Sequence, residues 1–396
     1  MKIGQTIYLD HQATTPLDSQ VLQIMQPYLA DGFGNPHATE HAVGWRTAQA
    51  VEEAARSVGS MIGSDPDEII FTSGATEANN LALLGLARRS SGGTRKRVLL
   101  GATEHKCVLA IGRILEEQLG FAVEHIAVDR EGRIDLAALE SLLDEDVLVV
   151  SVMAANNEIG TLQDIDAISR LAKRFGSILH CDAAQAPCAM DISEFAQLAD
   201  LISLSAHKMY GPLGVGALYI RRDLQSRIEP IIYGGGQQNG LRSGTLPTAL
   251  CVGMGAAAKL ITGEGAKSER ERLGGLRDLF ISRVRELPCE VTLNGPEDPS
   301  YRHPSNANLR FIGVDARDLL SRIQPNLAAS TGSACTSGIP EPSHVLGAIG
   351  LSPEEAESSV RFSLGRQTTM QDIDDALAIL SEALADITSA GLLEIA

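Results

Sequence analysis

Ser203-Leu204-Ser205-Ala206-His207-Lys208-Met209-Tyr210-Gly211-Pro212-Leu213-Gly214-Val215-Gly216 is the stretch against which the rest of the chain is read. The apolar residues Leu201, Ile202 and Leu204 predict a buried strand that stops at Ser205-Ala206-His207-Lys208. Gly211-Pro212, Gly214 and Gly216 then predict turns before a second strand over Ala217-Leu218-Tyr219-Ile220. A lysine at the end of a buried strand is a costly place for a full positive charge. Desolvation favours the neutral amine that Schiff-base chemistry needs. The plain alternative is a lysine whose stem is covered while its ammonium reaches water.

The chain has 396 residues, room for two domains and a large core. A hydrophobic share of 44% with 21% charged residues is that of a soluble globular enzyme. The net charge of −17 argues against nucleic acid or an anionic membrane as a general electrostatic partner. Arg88-Arg89 with Arg95-Lys96-Arg97 is a small basic patch, read here as a solvated helix end and loop. The start, Met1 to Thr6, lacks the apolar centre of a signal peptide, and no run approaches a membrane span. Cys107, Cys181, Cys188, Cys251, Cys289 and Cys335 form no CxxC pair, so neither a disulfide framework nor a metal site is expected. A reducing cytoplasm is the expected location.

Taken in order, Asp10-His11-Gln12-Ala13-Thr14-Thr15-Pro16 is a polar turn ahead of a helix, and Gly32 to Pro36 is a loop before a helix from Gly44 to Met61. Glu68-Ile69-Ile70-Phe71 predicts a strand that turns through Thr72-Ser73-Gly74-Ala75-Thr76-Glu77 into a helix. Small residues at such a turn leave backbone N–H groups for an anion, although GxxxxGK[ST] is absent. Strands follow at Arg97–Leu100, Val147–Val152 and Ser177–Asp182, ending respectively near His105, Asn156 and Asp182 with Gln185. The helix between the last two carries Ile165, Ile168, Leu171 and Phe175 on one face and stops at Gly176. Alternating strands and helices predict a mostly parallel sheet covered on both faces, with ligands beyond the strands' carboxyl ends. Charged sequence after Leu260 predicts a change of domain. Thr369 and Asp372 predict a capping box for a closing helix with a stripe of Ile373, Leu377, Leu380, Leu384 and Ile387.

These strand ends answer the demands of pyridoxal phosphate: a lysine, a carboxylate for the pyridine nitrogen, backbone donors for a phosphate and a flat ring partner. Lys208, Asp182, the Gly74–Thr76 turn and His105 supply them. Singly, Asp182 reads as a helix cap and His105 as a surface histidine; on consecutive strand ends the joint coincidence is small. Cys107, Cys181, Cys188, Cys251 and Cys289 are expected to be small buried apolar groups. Cys335, in Ser330-Thr331-Gly332-Ser333-Ala334-Cys335-Thr336-Ser337-Gly338, has no apolar neighbours and suits a nucleophilic thiol on an exposed loop. Arg361 suits a bidentate grip on a carboxylate or, as plainly, a surface ion pair.

The chain resembles the cysteine desulfurases of the class V aminotransferase group with a short cysteine loop. The matching motifs are Asp10 to Pro16, Thr72-Ser73-Gly74-Ala75-Thr76-Glu77, Thr103-Glu104-His105-Lys106, Asn156-Asn157-Glu158-Ile159-Gly160, Asp182-Ala183-Ala184-Gln185, Ser205 to Pro212, Arg242-Ser243-Gly244-Thr245, Gly332-Ser333-Ala334-Cys335 and Arg361-Phe362-Ser363. They run in the family's order over nearly the whole chain.

The resemblance implies an α/β, fold type I transferase dependent on pyridoxal phosphate. Its large domain (16–260) would hold a mostly parallel, seven-stranded-type sheet. A smaller α/β domain (1–15 and 261–396) would carry the cysteine loop at about 328–340. Lys208 would hold the cofactor, Asp182 would pair with its ring nitrogen, and Gln185 and Asn156 would support ring substituents. Ala75, Thr76, Ser205 and His207 would hold the phosphate with Thr245 of the partner subunit, which implies a homodimer. His105 would stack on the ring and manage the substrate thiol's proton; Asn35 and Arg361 would bind the substrate carboxylate.

The implied reaction turns L-cysteine into L-alanine and leaves a persulfide on Cys335 for a sulfur-acceptor protein. Selenocysteine lyase and cysteine-sulfinate desulfinase are the nearest alternatives. The sequence ends soon after the closing helix, without most of the extension by which housekeeping members dock an iron–sulfur scaffold, and Ile323-Gln324-Pro325-Asn326 departs from the usual apolar helix end. Iron–sulfur cluster assembly, tRNA thiolation and DNA sulfur modification therefore all stay open as destinations.

Overall fold

The structure, a computed structural model, describes residues 1–332 and 342–394. Its largest element is a seven-stranded sheet built from β1 (Ile69–Thr72), β2 (Arg97–Gly101), β3 (Ala122–Ile126), β4 (Val147–Met153), β5 (Ile178–Asp182), β6 (Leu201–Ser205) and β7 (Gly216–Ile220). The order across the sheet is β1-β7-β6-β5-β4-β2-β3. β7 runs antiparallel to both neighbours and every other pair is parallel, so six strands end on one edge. β4 to β7 are buried along their whole length, as strands covered on both faces must be.

Alternate residues supply the two cores. On one face Leu179, Cys181, Ile202, Leu204, Ala217 and Tyr219 meet the helices Ala42–Ile62 and Thr248–Thr262. On the other, Ile178, Leu201, Leu218 and Ile220 meet Ala75–Ser90 and Lys106–Leu119. The pleat's period of two is therefore enough to divide one apolar run between two layers. Gly255 lets the helices Ala42–Ile62 and Thr248–Thr262 touch, since a Cβ there would stand 2.7 Å from Ala54 Cα.

A second, three-stranded antiparallel sheet joins β8 (Val291–Leu293), β9 (Asn306–Phe311) and β10 (Ser359–Ser363) in that order. Its core stacks Phe362 edge-on between Phe280 and Phe311, at centroid distances of 5.1 and 6.4 Å, under Ala266–Val284 and Met370–Glu394. The first residues belong here too: Thr6–Tyr8 pairs with Leu327–Ala328, Asp10 bridges Ser363, and Ile7 and Leu9 are in this core. The closing helix starts as its capping residues predict. Thr369 N–H donates to Asp372 Oδ2 at 2.8 Å, and Ile373, Leu377, Leu380 and Leu384 are buried.

Three sequence expectations change. β3 has no counterpart among the expected strands because it is a polar edge strand, with only Ile126 buried. The basic patch is dispersed: Arg97 binds Glu124 and Asp144, Arg95 donates to the carbonyls of Val147 and Phe175, and Lys96 to that of Ser91. Of the five cysteines expected in the core, Cys181 and Cys251 are buried, whereas Cys107, Cys188 and Cys289 are only partly buried and pack against the margins of the cores. No helix among the described residues is long and apolar enough to cross a membrane, and no group of side chains there could hold a metal.

Candidate active site

At the common edge, β6 runs out at Ser205 into a single turn, Ala206–Lys208, that presents His207 and Lys208. Lys208 Nζ donates to the carbonyls of Gln12, at 2.5 Å, and Ala13, at 2.8 Å. Gln185 Nε2, from the turn after β5, donates to the same Gln12 carbonyl at 2.9 Å. One backbone oxygen thus joins the N-terminal turn, the lysine turn and the Asp182–Gln185 turn. Gln12 is itself fixed, its Oε1 accepting from Asn306 Nδ2 at 2.6 Å and its N–H donating to Ser363 Oγ at 2.9 Å. That leaves its buried Nε2 without a partner among the described residues.

Asp182, the last residue of β5, is 5% exposed. Asn79 Nδ2 donates to its Oδ2 at 2.8 Å, and Ala184 N–H to its Oδ1 at 3.0 Å. Two residues back on the same strand, His180 lies fully buried between the hydroxyls of Ser151 and Ser203, at 2.8 and 3.1 Å. Burial lowers its pKa to about 4, so it is neutral at pH 7. His207, with Nδ1 3.1 Å from Thr14 Oγ1, is lowered to about 4 by burial and then by the neighbouring Lys208.

His105 caps the helix Lys106–Leu119: its Nδ1 accepts from Cys107 N–H at 3.2 Å and lies 3.0 Å from Cys107 Sγ. Because Nδ1 is the acceptor, the neutral ring carries its proton on Nε2. Beside it, the Glu104 carboxyl is fully buried; Oε1 accepts from Met153 N–H at 2.6 Å and Oε2 has no partner among the described residues. Burial, then the charge of Asp182, pushes this carboxyl well above the usual range.

The helix Ala75–Ser90 starts differently. Its N-cap is Gly74, no side chain caps it, and a Cβ on Gly74 would meet open space. Gly216 of β7 approaches so closely that a Cβ there would lie 2.6 Å from Gly74 Cα. The amides of an uncapped helix start beside open space form an anion cradle.

Not every expected residue is gathered here. Asn156 is buried, but its Nδ2 donates to Thr103 O at 3.0 Å and its Oδ1 accepts from Glu158 N–H at 2.8 Å and Ile159 N–H at 2.9 Å. Thr245 is exposed. Asn35 is also exposed, its Oδ1 accepting from His37 N–H at 3.0 Å. Arg361 is 3% exposed rather than a surface ion pair. Its Nη2 donates to Asp10 Oδ1 at 2.6 Å and Ser330 Oγ at 2.8 Å, its Nη1 to Asn157 O at 2.8 Å, and its Nε has no partner among the described residues. Cys335 lies outside the described residues. Asp10, Gln12, Asn79 and Glu104 were given no role by the sequence reading. Asp10, Gln12 and Glu104 stand within its motifs, and an asparagine three residues past the Gly74–Thr76 turn was the available signal for Asn79.

A lysine and a buried carboxylate at neighbouring strand ends, with an uncapped helix start beside them, define a pyridoxal-phosphate site, and the residues present fit that group. The chain belongs to the class V aminotransferase family, whose model matches residues 7–376 and whose members depend on pyridoxal phosphate. It is 44% identical to cysteine desulfurase IscS of Rickettsia akari (strain Hartford) over 376 residues, 94% of this chain and 90% of that protein. Among solved structures it is similar to a NifS-like protein, with a TM-score of 0.88 and 32% identity over 96% of this chain and 99% of the other. It is also similar to SspA in complex with cysteine, with a TM-score of 0.79 and 35% identity over 91% and 99%.

Proposed function

We propose that this chain is a cysteine desulfurase that converts L-cysteine to L-alanine and leaves the sulfur as a persulfide on Cys335. The observation that carries the reading is the meeting of Lys208 and Gln185 on the Gln12 carbonyl, beside an Asp182 served by two N–H donors. The names of its relatives support it, and so does the cysteine bound to SspA. When bound, pyridoxal phosphate supplies an electron sink for charge developing at the substrate's Cα.

The protein's own groups hold and steer. Lys208 holds the cofactor and carries the Cα proton, and Asp182 takes the ring nitrogen's hydrogen bond. Ala75, Thr76, Ser205 and His207 hold the phosphate, while Gln185 supports a ring substituent. His105 covers the ring and exchanges the substrate thiol's proton through Nε2. Arg361, held by Asp10, Ser330 and the Asn157 carbonyl, offers its guanidinium to the substrate carboxylate. The balance is that L-cysteine and one Cys335 thiol become L-alanine and one Cys335 persulfide. The Cβ–S bond breaks, a S–S bond forms, Cβ is reduced and sulfur oxidised, and a proton ends on Cβ.

The reading brings a homodimer in which the partner subunit's Thr245 completes the phosphate site. The exposed Phe33, Trp45, Leu213 and Tyr233 support it as surface for a second copy to cover. It also places residues 16–260 in a large domain, 1–15 and 261–396 in a small one, and the protein in the cytoplasm with a sulfur-acceptor protein. Mass spectrometry after L-cysteine addition without reductant tests it: one added sulfur on the Cys335 peptide, matched by released alanine. Cys335→Ser should abolish sulfur release from cysteine. A variant that keeps turning over selenocysteine or cysteine sulfinate instead would favour a lyase.

A further inference from the structure

A cavity of about 180 Å³ lies where the two cores meet, lined by Cys188, Tyr210, Arg270, Arg366, Glu269 and the start of the helix Ala266–Val284. Both arginines are half-buried. Neither guanidinium finds a hydrogen-bond acceptor or an ion-pair partner among the described residues; that of Arg366 lies over the Tyr210 ring, 5.6 Å from its centroid. Tyr210 is itself fixed there, its hydroxyl accepting from Arg366 N–H at 2.9 Å.

The acidic groups nearby do not take these two forks. Glu269 is bound in two places by Arg272, at 2.9 and 2.8 Å; Glu264 is exposed; Asp191 accepts from Ser193 N–H at 3.0 Å. The helix start adds to the field, since its N-cap Gly265 offers no side-chain acceptor. Both guanidinium groups also act on the Cys188 thiol, which burial pushes up to about 12. Its Sγ donates to the Lys208 carbonyl at 3.5 Å. Half-buried guanidinium forks without acceptors bear a desolvation cost that an oxyanion would offset. The space suits a phosphate-sized or carboxylate-sized group and falls short of what a drug-sized ligand fills.

We propose that this cavity binds a small oxyanion, phosphate or carboxylate, between Arg270 and Arg366, one hydrogen bond from the backbone of Lys208. The inference stands on its own geometry and does not depend on the reaction assigned to Cys335.

The holoenzyme, titrated with inorganic phosphate and separately with acetate at an ionic strength fixed by potassium chloride, tests it. Maleimide labelling of Cys188 is followed by peptide mass mapping, which separates it from Cys335 and the other thiols. Labelling should slow saturably, about tenfold when the anion stands at roughly ten times its Kd. Arg270→Gln, which removes a side chain bonded to no other residue described, should abolish that protection. The thermal midpoint should rise with the same anion in the native protein and not in Arg270→Gln or Arg366→Gln. Protection by phosphate alone assigns a tetrahedral ligand, and by acetate alone a planar carboxylate; either supports the site. A response to neither anion, or an equal response in Arg270→Gln, overturns it. If Cys188 labels too slowly to follow, the midpoint shift decides by the same comparison.

Discussion

Asp182 and Glu104 are two buried carboxyls that flank the end of β4, where Met153 pairs in register with Asp182 of β5 and donates its N–H to Glu104 beyond β2, and their surroundings separate them. Asp182 receives two N–H donors, from Asn79 and Ala184. Glu104 receives one, from Met153, and its other oxygen has none among the described residues. With burial and the charge of Asp182 acting together, Glu104 holds its proton well above the usual carboxyl range. Of the two, the carboxyl with fewer donors and deeper burial is the one pushed toward its neutral form.

The strongest test of that contrast is Asp182→Ala. Removing the proposed partner of the ring nitrogen should lower kcat/KM for alanine release about 10³-fold, roughly 4 kcal/mol of transition-state stabilisation. A loss below about tenfold would take the role away from Asp182. Next comes stability at Glu104. Glu104→Ala leaves the Met153 N–H unpaired and should cost about 2 kcal/mol in urea unfolding, whereas Glu104→Gln, neutral and still an acceptor, should cost under about 1 kcal/mol. Equal losses would mean that the carboxyl is charged in the folded protein.

The smallest effect is in pH. Glu104 is raised from 4.5 in the fold, so above that value the folded chain keeps a proton that the unfolded chain releases. Its contribution is full below the unfolded value and is lost as pH rises through the folded one. The urea midpoint of the native protein should therefore gain on that of Glu104→Gln as pH falls from about 7 to about 5. Buried His180, lowered to about 4, acts the other way, its contribution lost as pH falls below 6.5. It is common to both proteins and cancels in the difference. A flat difference would contradict the neutral acid.

Much of this site is legible in the chain because strands advertise where they end. Lys208, Asp182 and His105 follow apolar runs that stop abruptly, and parallel strands bring such stops to one edge. Their partners are another matter. Gln12 meets Lys208 across 196 positions, Asp10 meets Arg361 across 351, and Asn79 meets Asp182 across 103. Nothing local to Arg361 separates a surface ion pair from a buried fork. β3 was illegible for a different reason: an edge strand buries little, so its sequence carries little apolar pattern.

The order of the residues alone determined the alternation of strands and helices, the turn left open for an anion and the lysine held behind it, since each depends on neighbours a few positions away. Only the folded chain decided which carboxyl keeps its proton and which backbone oxygen gathers the lysine and the glutamine. It also decided that two arginines face a cavity with no acceptor described for either. Those outcomes depend on burial and on distances through space, which chain separation does not encode.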